Sequence, residues 1–140
     1  MDHHKRHKHD ILVILAVVGF AISFYLAITH YLGFQVPCDI TRGCDTVLNS
    51  KYSTLLGLPL SVWGMGFFSS VIISGLLANH YANWRKILTA ALAAGSLASL
   101  VFLYLQFFVI QQICQYCLAT DVLTIVLFIL DLNIEHKKIQ

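Results

Sequence analysis

Charge is scarce in this chain. Only 11% of its 140 residues are Asp, Glu, Lys or Arg, against roughly 25% in a soluble domain, while 58% are hydrophobic. A chain so poor in charge does not have water as its main solvent. Basic charge is also thin: the formal net charge is +2, and the basic residues are scattered rather than interleaved with aromatics on one surface, which argues against nucleic acid as a partner. No internal repeat occurs, and no low-complexity segment beyond a His-rich start at His3, His4, His7 and His9. That start reads as a solvated tail, with metal binding as the alternative. The first apolar run lacks the small-residue cleavage site of a signal peptide. A secretory apolar region is roughly 7 to 15 residues long, whereas this one fills residues 11–32, so it reads as a retained span.

What the chain does have is length of hydrophobic run. A bilayer core of about 30 Å needs roughly 20 helical residues, because lipid offers no partner to unpaired backbone groups. Residues 11–32, 58–78, 87–110 and 113–132 meet that length with no Lys or Arg inside them. The expected fold class is therefore all-α: an integral membrane four-helix bundle, with a catalytic domain over 11–132 and short tails at 1–10 and 133–140. Ala91, Gly95 and Ser99 recur at four-residue spacing, and Gly64, Gly66, Ser70, Ser74 and Gly75 crowd the second span. Small residues at such spacing let helices approach closely in lipid.

Lys5, Arg6, Lys8, Arg85, Lys86, Lys137 and Lys138 fall on one side of this plan, and only Arg42 and Lys51 on the other. The positive-inside rule then places both termini in the cytoplasm. The first connection, residues 33–57, is long for a bundle, and such loops are usually functional. Asp45 is placed to cap a short helix running through Leu48 within it, and Pro59 suits the first turn of the second span.

Four cysteines share the extracytoplasmic side of this topology. Cys38 and Cys44 lie in the long connection, and Cys114 and Cys117 form a C-x-x-C at the start of the fourth span. Unpaired N–H groups and the helix dipole at a helix start favour a thiolate. Two dithiols on one oxidising face can act in series, the loop pair taking electrons from a soluble protein and the fixed pair passing them on to a lipid-soluble quinone. The same spacings also admit two structural disulfides, a four-thiolate zinc site, or unrelated buried cysteines.

The segment from Cys38 through Gly43 and Cys44 to Ser50, followed by Leu56-Gly57-Leu58-Pro59 and then Ile113-Cys114-Gln115-Tyr116-Cys117-Leu118, resembles the vitamin K epoxide reductase family in its bacterial branch. The resemblance spans residues 11–132. It implies that Cys38 exchanges with a partner protein, that Cys44 passes electrons to Cys114 through a transient disulfide, and that Cys117 faces the quinone. Ser50 stands where family members carry a serine beside that site. Many bacterial members add a thioredoxin-like domain; this chain ends at Gln140, so the expected partner is a DsbA-like or thioredoxin-like protein acting in trans. The expected acceptor is ubiquinone or menaquinone, with no metal required, and the expected location is the cell inner membrane. Animal members place a tyrosine four residues after the last cysteine, where this chain has Asp121, so animal vitamin K specificity is not carried over. Asp121 lies one turn deeper than Cys117. A buried membrane carboxylate is costly and usually functional, so Asp121 is expected at the quinone pocket, assisting proton movement. Tyr104, Phe107 and Phe108 are expected to supply its flat apolar walls. Reduction of vitamin K or its epoxide, and a non-catalytic disulfide-stapled scaffold, are the alternative functions.

Overall fold

The computed structural model describes residues 2–35, 37, 38, 46 and 48–139, with the side chains of 2–5 and 135–139 left aside. Helix α1 covers Asp2–Leu32, α2 Leu60–Leu77, α3 Ala82–Tyr104 and α4 Gln115–Ile139. The third helix continues as a π-helical turn over Leu105–Ile110. Among the described residues four segments are long and apolar enough to cross a membrane, Arg6–Leu32, Leu60–Leu77, Ala82–Ile110 and Gln115–Ile134. The shortest, at 18 residues, is about 27 Å long at 1.5 Å per residue. Lipid solvates apolar side chains as well as a protein core does, so the helices are outwardly greasy as well as inwardly packed.

Around the bundle, α1 lies between α2 and α4, and α3 packs against the same two neighbours. Glycine makes these contacts close. Gly95 on α3 sits against the Phe67 ring and the Thr124 methyl, Gly19 on α1 against the Phe68 ring, and Gly64 on α2 against Ser23. Gly66, by contrast, faces open space. The middle of the bundle is an apolar layer in which Ala16, Phe68, Val71, Leu92 and Leu127 are buried to 2% exposure or less.

At the end of the bundle that holds the chain termini, Arg85 reaches Asp131. Its Nη2 is 2.9 Å from Oδ1 and also donates to the Asp131 carbonyl at 3.0 Å. The Thr89 hydroxyl donates to Asp131 Oδ2 at 2.7 Å. Hydropathy starts the third span at residue 87 and leaves Arg85 in a connection; the helix begins at Ala82, because a helix extends past its apolar stretch wherever a charge finds a partner. Helix α1 also begins ahead of its apolar run, at Asp2, and within that extension His9 is buried and hydrogen-bonds Asn79 at 3.5 Å. The second span starts at Leu60 rather than residue 58, since Leu58 and Pro59 are taken up in strand pairing.

At the opposite end, α1 stops in a Schellman motif: Gly33 adopts φ 75° and the Phe34 N–H donates to the Thr29 carbonyl at 3.1 Å, the 6→1 bond of that motif. Strands β1 (Thr54–Leu55) and β2 (Leu58–Pro59) pair antiparallel, with Leu55 opposite Leu58. Their two-residue turn holds Leu56 at φ 54° and Gly57 at φ 82°, the positive-φ pair that tight hairpins require. Glycine takes that conformation freely, and leucine pays roughly 1–2 kcal/mol for it. The Trp63 indole N–H donates to the Leu55 carbonyl at 3.0 Å, tying the hairpin to α2. Ahead of the hairpin, Lys51–Ser53 makes one 3-10 turn; Asp45, the expected cap of a loop helix, lies outside the described residues.

Candidate active site

Cys114 precedes the first residue of α4 and occupies its N-cap. Its carbonyl accepts from the Leu118 N–H at 2.8 Å, and its Sγ accepts from the Cys117 N–H at 3.5 Å. A sulfur here takes the place of the Ser or Asp oxygen that usually satisfies the third N–H of a helix. The start of the helix therefore aims a backbone donor at the thiol that the C-x-x-C spacing brings back over it. Cys114 is fully buried and Cys117 partly so, and neither is held in a disulfide.

Cys38, which is disulfide-bonded, packs with Leu48, Ile110, Tyr116 and Cys117 against Cys114. Tyr116 holds this arrangement from inside the motif: its hydroxyl donates to the Pro37 carbonyl at 2.7 Å, and its ring lies 5.8 Å from that of Tyr25 on α1. The loop cysteine and the helix cysteines are thus neighbours, although 76 residues separate Cys38 from Cys114 in sequence. Cys44 lies outside the described residues.

Beneath the cysteines a cavity of about 620 Å³ opens between the four helices. Cys117, Asp121 and Ser50 all line it, so three of the expected site residues face one space. Its walls are Trp63, Phe67, Phe68 and Phe102, and Phe34, Tyr52 and Leu55 lie toward the long connection. A volume in the range of roughly 300–1,000 Å³, with aromatic walls and a few convergent polar groups, suits an organic ring ligand.

Phe107 and Phe108, expected as walls, are not among the lining residues and stand 48% and 68% exposed. Tyr104 is exposed as well and packs against Phe108, ring centroids 5.2 Å apart. The reason is rotational. Gln106 points inward at 3% exposure, so the next two residues of the π turn are carried round to the outer face. The inward aromatics are instead Phe102, one turn earlier on α3, and Trp63, Phe67 and Phe68 on α2, where the two phenylalanines follow the small residues that bring neighbouring helices close.

Gln106 was not singled out by the sequence, yet it joins the two halves of the site. Its Oε1 accepts from the Cys114 N–H at 3.1 Å, and its Nε2 donates to Asp121 Oδ2 at 3.3 Å. The Ser99 hydroxyl also hydrogen-bonds the Asp121 side chain. Asp121, at 8% exposure, therefore has the neutral partners that a carboxyl group inside a bundle requires. The signal available in sequence was a polar side chain in the third span, seven residues after Ser99 and so on the same helical face. Among the described residues no three His, Cys, Asp or Glu side chains gather as a metal site.

The chemistry the site can perform is two-electron thiol and disulfide exchange beside an apolar, aromatic-walled cavity. The family model described as Vitamin K epoxide reductase family matches residues 10–132, which takes in all four cysteines, the hairpin and every membrane-crossing helix down to Leu132. With that match and four membrane-length helices, this chain belongs to the vitamin K epoxide reductase family and is a multi-pass membrane oxidoreductase.

Proposed function

We propose that this protein reoxidises a DsbA-like or thioredoxin-like partner and passes the two electrons to a quinone, ubiquinone or menaquinone, in support of disulfide formation. The observation that carries the reading is that Cys117, Asp121 and Ser50 line one cavity while Cys38 and Cys117 both pack on Cys114. The partner's dithiol is oxidised to a disulfide as the Cys38–Cys44 disulfide opens to two thiols. Cys44 then attacks the Cys114–Cys117 disulfide at Cys114, and resolution by Cys38 leaves the helix pair reduced and the loop pair closed. Cys117 finally delivers two electrons to the quinone, which leaves as quinol with two protons while the Cys114–Cys117 disulfide re-forms. Asp121 assists the proton transfer, and Ser50 hydrogen-bonds a quinone oxygen or the Cys117 thiolate. Both termini lie in the cytoplasm and the cysteines on the outer face of the inner membrane, in keeping with the asymmetry of Lys and Arg.

The test is to mix purified protein with reduced thioredoxin or dithiothreitol and a quinone, and to follow quinone absorbance. Wild type turns over, and each single Cys→Ser variant loses turnover with thioredoxin. Unchanged turnover on losing Cys117 would falsify the assignment. Running vitamin K epoxide as an alternative acceptor separates quinone reduction from epoxide reduction.

A further inference from the structure

Gln106 stands inside a lipid-crossing segment at 3% exposure. A primary amide there costs several kcal/mol unless its donor and acceptor are both met. Both are met, and by groups of unlike kind: the backbone N–H of Cys114 at 3.1 Å and the side chain of Asp121 at 3.3 Å. One partner belongs to the turn that carries the C-x-x-C pair. The other is the carboxyl that shares the cavity with Cys117. The amide projects from the π-helical turn Leu105–Ile110, and single π turns recur at functional positions of otherwise α-helical segments.

The direction of these bonds matters. The Cys114 N–H donates to the amide carbonyl, and the amide N–H donates in turn to Asp121 Oδ2, so the dipoles align and strengthen one another. Oδ2 is thereby engaged as an acceptor by the amide, and Ser99 holds the same carboxyl from α3. Closing or opening a Cys114–Cys117 disulfide changes the geometry of the turn that bears the Cys114 N–H, and the bridge carries that change to the carboxyl.

We propose that Gln106 is a positioning residue for the quinone step, bridging the C-x-x-C turn to Asp121 so that the carboxyl meets the quinone at a set angle to Cys117. This rests on the quinone reading given above and names a further residue of the same site. The titratable groups that share the cavity with Asp121 are Cys117 on the same helix, His30 on α1 and Tyr52 in the long connection, with Cys114 behind; α2 and α3 contribute neutral side chains only.

The experiment compares wild type, Gln106→Met and Gln106→Glu as full-length protein in nanodiscs, with dithiothreitol as reductant and a soluble ubiquinone analogue as acceptor. Methionine keeps the length and removes both hydrogen bonds. It is expected to lower kcat about 10- to 100-fold, the usual cost of losing an orienting partner, with quinone KM within about threefold of wild type and thiol-trapped reduction of the loop cysteines unchanged. Glutamate keeps the acceptor for Cys114 but donates to Asp121 only when protonated, so its kcat is expected to rise as pH falls, relative to wild type. Wild-type kcat in Gln106→Met overturns the proposal. So does an equal loss in loop reduction, quinone reduction and thermal stability, which marks packing alone, and so does a Gln106→Glu pH profile parallel to wild type. Absence of quinone reduction by wild type overturns the proposed function and this inference together, which keeps the two failures distinct.

Discussion

Replacing Gly95 by alanine adds one methyl group at a point where the structure leaves no room for it. The new Cβ would stand 2.5 Å from both Cε2 and Cζ of Phe67 and 3.2 Å from the Thr124 methyl. Carbon atoms rest at about 3.5–4.0 Å, so the ring must retreat by about 1 Å. Thr124 is poorly placed to yield, because its hydroxyl is bonded to the Thr120 carbonyl at 2.8 Å. Overpacking of this kind costs about 1–3 kcal/mol, and the helix-propensity gain of Gly→Ala returns at most about 1 kcal/mol. The expected net is a destabilisation of about 1 kcal/mol, seen as a fall of roughly 3 °C in the unfolding temperature in detergent. Phe67 is also a cavity wall, so quinone KM should rise about three- to tenfold, equivalent to about 1 kcal/mol. Gly66→Ala is the matched control: on α2 in open space, it should leave KM unchanged and hold or raise the unfolding temperature. If both variants shift stability and KM alike, close packing of Gly95 against the cavity wall is not what shapes the site.

Removing one partner of the Arg85–Asp131 pair should cost about 3–5 kcal/mol, and the double replacement Arg85→Met with Asp131→Leu should recover most of it; unfolding temperatures of both singles and the double complete the cycle. Cys114→Ser should separate folding from chemistry, because serine is a favoured N-cap: thermal stability holds while turnover is lost, and retained turnover would remove Cys114 from the relay. Tyr116→Phe deletes only the hydroxyl bonded to Pro37, a bond worth about 0.5–1.5 kcal/mol. Stopped-flow thiol trapping should show slower transfer between the loop and helix pairs, with quinone reduction by a pre-reduced Cys114–Cys117 pair unaffected. Asp121→Asn keeps the Gln106 contact but cannot carry a proton, so quinone reduction should slow; full activity at every pH would end its proton role.

The membrane plan was legible because hydropathy is a property of sequence order alone, and a run of apolar residues must cross lipid as a helix. The placing of Cys114 and Cys117 at a helix start was legible because C-x-x-C is a local motif. The cavity walls were not, because they depend on how each helix is rotated about its axis. A hydropathy run is the same whichever side chains face inward, so Phe107 and Phe108 could not be told from Phe67 and Phe68 until the π turn and the glycine contacts set the rotation. Arg85 was misread for a related reason. Its positive charge marks a connection only if nothing nearby neutralises it, and its partner Asp131 lies 46 residues away. Gln106 belongs to the same class, since an amide in an apolar span shows its purpose only through the two groups it joins.

The apolar layer at mid-bundle bears on energy conversion. Asp121 and Asp131 are both buried on α4, ten residues and about 15 Å apart, and Leu127, Ala16, Phe68, Val71 and Leu92 fill much of the level between them, beside the buried hydroxyls of Thr124, Ser96 and Ser74. On the proposed reading, the quinone takes up its protons at the end of the bundle where Cys117 and Asp121 share the cavity, the end at which the thiols release theirs. Turnover then moves no net charge across the bilayer. It should proceed at the same rate in energised and uncoupled vesicles, with the free energy of quinone reduction spent wholly on keeping the partner oxidised.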